Sequence, residues 1–494
     1  MQLRELAATL APTKVVGPLD LEISGITCDS RRVMPGMVFV AMRGAHVDGH
    51  DYIGAAIARG AAAVVCERNG FATTRTAKLI VGDSRAALAR AALAYYGHPS
   101  SKLKVVGITG TNGKTTVAFM LKQMLEAAGI RTGLLGTVRY EIGERILPAS
   151  RTTPESLDLQ DMMAQMLRAG CAACVMEVSS HALEQQRVAG VEFDVGVFTN
   201  LTQDHLDYHG SMENYFLAKQ RLFTGWPHGA KPGACVVNVD DPFGVRIFES
   251  ANASAKISFA LGGNADVRAD HIQLGREDTS FQLHANGASH SVRMPLIGRH
   301  NIYNALAAVG AGLALDVPLP AVLKALRSMR AAPGRLEPVH CGQPFAVLVD
   351  YAHTDDALHN VLTTLREVTS GRVLLVFGCG GNRDTGKRAK MGRVAAELCD
   401  ACIITSDNPR NEPPDSIAVA IQEGWHDARP GGYRVELDRR CAIEQIIAMA
   451  QPGDTVLIAG KGHETCQEFQ DTVVPFDDCI HAREALEALG HRRT

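Results

Sequence analysis

The sequence predicts an α/β protein built on largely parallel sheets and divided into three domains. Length is the first reason: 494 residues, 46% hydrophobic and 21% charged, exceed one core and suffice for several. The second is an alternation of short β-rich and helical runs from about residue 104: KVVGITG, an amphipathic stretch to Gly129, TGLLGT, CVMEVSS and VGVFTNL. The third is a second alternation from Phe345: FAVLVDYAH, RVLLVFGCGG, ACIITSDNPR and DTVLIAGKGHE. The turn Ala331-Ala332-Pro333-Gly334 and the polar His98-Pro99-Ser100-Ser101 mark the boundaries, which gives domains at residues 1–101, 102–333 and 334–494. In such sheets ligands gather beyond the carboxyl ends of the strands, so the chemistry belongs in those loops.

Composition narrows the functional classes. Fifty basic against 53 acidic side chains, a formal charge of -3, offer no broad basic face for nucleic acid, so an anionic ligand must be held locally. Met1 to Leu10 has neither an h-region nor a small-residue cleavage site, and the Ala-rich run from Ala55 to Cys66 is broken by Arg59. A cytoplasmic chain without a membrane span is expected. The pairs Cys171/Cys174 and Cys399/Cys402 have C-x-x-C spacing, but each lies in an apolar run with no adjacent ligand, so they read as core residues rather than zinc ligands.

The segment Gly107-Ile108-Thr109-Gly110-Thr111-Asn112-Gly113-Lys114-Thr115-Thr116 follows a β-run and opens a helix. Backbone N–H groups and a helix N-terminus there converge on one anion site. Lys114 is placed to reach the terminal phosphates of ATP, and the Thr115 hydroxyl to ligate Mg²⁺. The generic phosphate-loop pattern fails at Ile108, where it requires Gly. A tight turn with an exposed lysine is the competing reading, and the glycines in a strand-turn-helix context weigh against it.

Thr109 to Thr116, TGTNGKTT, resembles the phosphate loop of the Mur ligase and folylpolyglutamate synthetase superfamily, which accounts for the departure at Ile108. The resemblance continues through DSRRVMPGMVFVAMRG, EVSSHAL, NLTQDHLDYHGSMENYFLAKQRLF, GRHNIYNALAA, PGRLE, DYAHT, GCGGNRDTGKR, DNPR and AGKGHE, in family order along nearly the whole chain. It implies a small N-terminal α/β UDP-binding domain, a central P-loop ATPase-like domain and a C-terminal Rossmann-like domain for the amino acid. The implied activity is ATP-dependent, ADP-forming ligation in peptidoglycan precursor synthesis by a monomer. It joins meso-2,6-diaminopimelate to the D-glutamate of UDP-N-acetylmuramoyl-L-alanyl-D-glutamate through an acyl phosphate.

Site residues follow from the same resemblance. Gly110, Thr111, Asn112, Gly113, Lys114, Thr115 and Thr116 take the ATP phosphates, Asn301 and Asn304 the adenine, and Arg335 and Asp350 approach the nucleotide from the third domain. Thr115, Glu177, His205 and Lys219 form the Mg²⁺ set, with Lys219 carbamoylated to N6-carboxylysine; Lys114, Lys219, Glu177 and His205 carry the catalysis. Ser30 with Gly44, Ala45, His46 and Val47 holds the UDP moiety, and Thr152, Thr153, Ser179, Gln185 and Arg187 meet the muramoyl-dipeptide. Arg383, Asp407, Asn408, Pro409, Arg410, Gly460 and Glu464 bind diaminopimelate.

Taken singly, Glu177 reads equally as a satisfied strand-end carboxylate, His205 as a core or capping histidine, Lys219 as a solvated helix charge and Asn301 as a helix N-cap. DNPR discriminates more sharply, since diaminopimelate carries a distal carboxylate that lysine lacks and a guanidinium fork grips carboxylates. Two rivals remain within the superfamily, the L-lysine-adding homologue and a folylpolyglutamate synthetase-like ligase. From another class, a nucleotide-switch ATPase would hydrolyse ATP without making an amide.

Overall fold

The computed structural model describes residues 1–44, 47–68, 76–225 and 233–492, in two compact units: Met1–Arg268 with Tyr303–Ala325, and Ala269–Ile302 with Leu326–Thr494. Two sheets build the first unit. Strands β1 (Lys14–Val16), β2 (Gly25–Thr27), β3 (Met37–Val40), β4 (Ala63–Cys66) and β5 (Ala77–Ile80) pair in the order β1-β5-β4-β3-β2, all parallel except β1. The helix Leu3–Leu10 buries Leu3, Leu6, Ala7 and Leu10, one stripe at helical spacing, against Val38, Val40 and Leu79.

The second sheet holds β6 (Lys104–Thr109), β7 (Thr132–Leu135), β8 (Arg139–Ile142), β9 (Arg145–Pro148), β10 (Ala173–Glu177), β11 (Val195–Phe198), β12 (Ala234–Asn238), β13 (Ala255–Ala260) and the start of β14 (Val267–Leu274). Their order is β14-β13-β12-β11-β6-β10-β7-β8-β9. Central β6 is parallel to β10 on one side and β11 on the other, with Val106 opposite both Val175 and Val195. The chain runs from β6 outward past β10 to β7 and later crosses to β11, so the sheet reverses direction at β6. A crevice opens beyond the carboxyl ends of strands at such a reversal, and Gly110, Glu177 and Thr199 follow or end those strands.

In the second unit, β15 (Thr279–Ala285) and β16 (Ala288–Met294) form a hairpin through Asn286-Gly287, both at positive φ (51° and 74°), as a two-residue turn matched to strand twist requires. Strands β17 (Glu337–Pro338), β18 (Ala346–Asp350), β19 (Val373–Phe377), β20 (Ala401–Ile404), β21 (Tyr433–Val435) and β22 (Thr455–Ala459) form a sheet in the order β17-β18-β22-β19-β20-β21, parallel except for β17. Alternate residues of its strands feed two cores: Leu348, Leu375, Ile404 and Leu457 on one face, Val347, Leu374, Ile403 and Val456 on the other. Coverage of both faces is why these strands are unbroken apolar runs. A separate hairpin joins β23 (Cys466–Phe469) to β24 (Thr472–Pro475).

The two C-x-x-C pairs are core residues: Cys171 and Cys174 pack in the cluster with Phe193 and Met166, and Cys399 and Cys402 in that with Trp425. The helix Asp355–Val368 is capped by Thr354 Oγ1 accepting from the Ala357 N–H at 3.2 Å. Asp355 and Asp356 in its first turn face the positive end of the helix dipole. Among the described residues, no helix is long and apolar enough to cross a membrane.

Candidate active site

After β6 the chain passes through Gly110 (φ 152°) and Gly113 (φ 86°) into the helix Lys114–Ala127. A β-carbon at Gly110 would collide with Thr199 Oγ1 and one at Gly113 with Asn304 Oδ1, so both positions require glycine on two counts. The loop is pinned to the end of β11: the Thr111 N–H donates to Asn200 O (2.9 Å), the Asn112 N–H to Asn200 Oδ1 (2.9 Å), and Thr199 Oγ1 to Asn112 O (2.6 Å). Thr116 lies in the first helical turn beside Thr115. Gly110→Ala is expected to weaken ATP binding about tenfold or more, from backbone strain of about 1–3 kcal/mol added to the clash. Titration with a fluorescent ATP analogue checks this, and unchanged affinity would mean that the loop rebuilds without loss.

Two lysines converge on one carbonyl. Lys114 Nζ donates to Gly110 O at 2.9 Å and Thr111 O at 2.8 Å, and Lys219 Nζ, from the helix Met212–Thr224, donates to Gly110 O at 2.8 Å. Lys219 is 1% exposed, and its Nζ stands 4.4 Å from the centre of the Tyr215 ring. Burial pushes its ammonium well below the ordinary lysine range and the Lys114 charge pushes the same way, against the pull of Asp204. The reading of Lys219 as a solvated helix charge is therefore excluded.

Glu177, at the buried end of β10, accepts three hydrogen bonds. Thr115 Oγ1 (3.0 Å) and the Thr137 N–H (2.8 Å) reach Oε1, and Thr137 Oγ1 (3.0 Å) reaches Oε2. His205 adopts φ 52°, with its ring edge-on to His181 at 4.8 Å between centroids. Its ring also meets the Tyr215 ring edge-on at 6.1 Å, and the Tyr215 hydroxyl lies 3.3 Å from Thr111 Oγ1 in the phosphate loop. Phosphate loop, Thr115, Glu177, His205 and Lys219 thus lie at one end of the sheet.

The residues expected to meet the muramoyl-dipeptide form a network continuous with Glu177. Thr137 and Thr152 share a hydroxyl contact at 3.0 Å. Thr153 Oγ1 donates to Glu177 O (2.9 Å) and accepts from the Ser179 N–H (3.1 Å). Arg187 holds Thr153 O (3.1 Å), Gln185 Oε1 (2.6 Å) and Glu155 (3.1 Å). Elsewhere in this unit, Ser30 opens a short turn capped by Asp29, and the Gly44 N–H donates to Val47 O at 2.8 Å. These three make no bond to the network, and Ala45 and His46 lie outside the described residues.

In the second unit, buried Asp350 ends β18 and accepts from the Leu336 (2.7 Å) and Ala352 (2.8 Å) N–H groups. Burial raises its pKa, against the nearby Arg335, whose guanidinium lies 4.8 Å over Tyr351. Asn301 is not a helix N-cap: the helix starts at Arg299, and Asn301 Nδ2 donates to Ile297 O at 2.9 Å. Asn304, in the first unit, is buried beside Gly113.

The loops after β19, β20 and β22 meet. Asn408 Nδ2 donates to Glu464 Oε2 (2.8 Å), the Gly381 N–H to Asn408 O (2.9 Å), and Arg410 Nη1 to Gly381 O (3.0 Å). Gly460 (φ 113°) passes close to the Asp407 carboxylate. Arg383 is exposed on the loop after β19, its side chain bordering Gly380 together with Arg410 Nη1 and Asn408 O. Sequence reasoning missed Lys461, which is fully buried and whose Nζ reaches Asn408 Oδ1 (2.9 Å), Glu464 Oε2 (3.0 Å) and Asp407 Oδ1 (3.6 Å). One lysine against two carboxylates leaves one negative charge, which suits an ammonium ligand. Its signal was a lysine between two glycines at the end of an apolar strand.

A phosphate loop whose helix end faces a paired lysine and a buried carboxylate defines a nucleotide-binding enzyme of the phosphate-loop class. Three family models match the chain: the Mur ligase family catalytic domain over residues 22–96, the Mur ligase middle domain over 108–312 and the Mur ligase glutamate ligase domain over 334–462. The chain belongs to the Mur ligase family, with its three-domain α/β fold. Proteins named UDP-N-acetylmuramoyl-L-alanyl-D-glutamate--2,6-diaminopimelate ligase are 45% identical in Syntrophomonas wolfei, over 98% of this chain and 99% of that one, and 45% identical in Geobacter metallireducens, over 100% and 99%. A solved structure of that name matches with a TM-score of 0.73 at 32% identity over 99% of both chains. Mycobacterium tuberculosis folylpolyglutamate synthase, at 20% identity and a TM-score of 0.63 over 83% of this chain and 96% of its own, shares the fold.

Proposed function

We propose that this chain joins an amine of meso-2,6-diaminopimelate to the D-glutamate side-chain carboxylate of UDP-N-acetylmuramoyl-L-alanyl-D-glutamate, converting ATP to ADP and phosphate, as a cytoplasmic monomer. The observation that carries the reading is the convergence of Lys114 and buried Lys219 on the Gly110 carbonyl, beside Glu177. The Lys114 ammonium calls for an anion, which a polyphosphate on the loop supplies, and burial beside it favours the neutral form of the Lys219 amine. The division at residues 1–101, 102–333 and 334–494 assigns UDP, ATP and amino acid to one domain each.

Among the described residues no three His, Cys, Asp or Glu side chains form a ready-made metal cluster. The groups present nevertheless fit Mg²⁺, a cation that takes few protein oxygens and shares phosphate oxygens: the Thr115 hydroxyl, the Glu177 carboxylate, His205 and a carbamate on Lys219 would hold it. Bound there, Mg²⁺ neutralises charge on the transferring phosphoryl group. Lowering the Lys219 pKa enriches the neutral amine, the form that adds to CO₂ to give a carbamate and a proton.

Oxide is too poor a leaving group for direct amide formation. The acceptor carboxylate attacks the γ-phosphorus, ADP departs, and Lys114 stabilises charge on the phosphoryl oxygens. The amine then attacks the carbonyl of the acyl phosphate, loses a proton and expels phosphate. The net-negative cluster of Asp407, Glu464 and Lys461 holds an ammonium, and Arg410 and Arg383 take carboxylates.

The test is purified protein with ATP, Mg²⁺ and the UDP-dipeptide, offered diaminopimelate or L-lysine in parallel, with product mass and phosphate release measured. A diaminopimelate adduct formed one-for-one with phosphate is expected. A lysine adduct would assign the L-lysine-adding activity, turnover of a folate acceptor alone the folylpolyglutamate one, and phosphate release without either co-substrate the switch ATPase.

A further inference from the structure

We infer that Glu468, on the hairpin β23–β24, is the positioning residue that aims Arg410 at the distal carboxylate of the amino acid; the inference rests on the proposed diaminopimelate activity. Arg410 sits at φ 52°, a left-handed conformation that non-glycine residues adopt only when their surroundings hold them there. The hairpin does so. The Arg410 N–H donates to Glu468 O (3.0 Å), and Arg410 O accepts from the Gln470 N–H (2.8 Å). On the side chain, Arg410 Nε donates to Glu468 Oε2 at 2.6 Å, and Nη1 to Gly381 O at 3.0 Å. Nη2 has no partner among the described residues, and it completes the donor edge that a carboxylate can grip.

The arrangement fixes more than position. Glu468 pairs with the Arg410 charge and fixes the plane of its guanidinium. Only the direction of the remaining donors is then left to recognise a ligand. An amino acid ending in an ammonium leaves Nη2 unpaired, whereas one ending in a carboxylate satisfies it, so Glu468 converts a surface arginine into a discriminator. Glu468 belongs to none of the motifs that carry the family resemblance.

The experiment compares the full-length protein with Glu468→Ala and Glu468→Gln. For Glu468→Ala, KM for diaminopimelate is expected to rise about tenfold or more and the preference over lysine to narrow, with kcat, KM for ATP, KM for the UDP-dipeptide and melting temperature unchanged. Glu468→Gln, which keeps an oxygen for Nε, is expected to recover part of the loss. An unaltered KM for diaminopimelate in Glu468→Ala overturns the inference and leaves the proposed activity standing, and so does a parallel loss for all three substrates with a lower melting temperature. A wild-type protein that makes no diaminopimelate adduct overturns both.

Discussion

Lys219→Ala is expected to lower amide formation by about three orders of magnitude or more, the scale on which a preorganised charge at a transferring group counts, while ATP affinity stays within about threefold. The reason lies in where the lysine is. A fully buried amine that shares the Gly110 carbonyl with Lys114 gains nothing as a second cation, since the phosphate loop already supplies one and the two repel. The proposed carbamoylation would remove that conflict by turning the amine into an anion. Removing the side chain leaves the phosphates on their backbone amides but strips the oxygens that would face Mg²⁺. Short carboxylates such as formate or acetate fill the vacated space and are expected to restore part of the rate, which a purely structural defect would not allow. Phosphate release with both co-substrates present, measured beside nucleotide titration, decides it: full activity in the variant removes the carbamate from the mechanism.

Arg410→Lys is expected to raise KM for diaminopimelate by about a hundredfold, corresponding to about 2–3 kcal/mol for a lost charge-assisted fork, with KM for ATP and the UDP-dipeptide unaltered. The substitution keeps the charge and the backbone requirement at φ 52° but cannot reproduce simultaneous bonds to Glu468 Oε2 and Gly381 O and a donor edge for the ligand. A lysine ammonium in the same place would be drawn onto Glu468. Steady-state kinetics with each substrate varied in turn gives the answer, and an unchanged Michaelis constant for diaminopimelate would take Arg410 out of recognition.

Much of this architecture is legible before any coordinates. Unbroken apolar runs such as VLLVF and TVLIA can only be strands covered on both faces, and TGTNGKTT between a strand and a helix declares an anion site. What local pattern cannot reveal is convergence. Lys219 lies 109 positions from Gly110, and nothing in its helical neighbourhood distinguishes it from the exposed lysines of other helices. Asn301 failed as a cap because the helix begins at Arg299, three residues before the start that a cap at Asn301 requires, and helix ends are the least legible part of a periodic pattern. Thr137 was missed because it acts by supporting Glu177, and support leaves no spacing signature; Lys461 stood in view between two glycines of AGKGHE but only its burial shows its role.

The sheet buried on both faces has a consequence for how this enzyme class diversifies. Its strands answer to packing, while the turns after β19, β20 and β22 hold the groups proposed to read the amino acid. Exchanging a handful of side chains in those turns can therefore retool the choice of building block without disturbing the scaffold. The same separation makes this half of the molecule a natural host for laboratory variants that accept unnatural diamino acids.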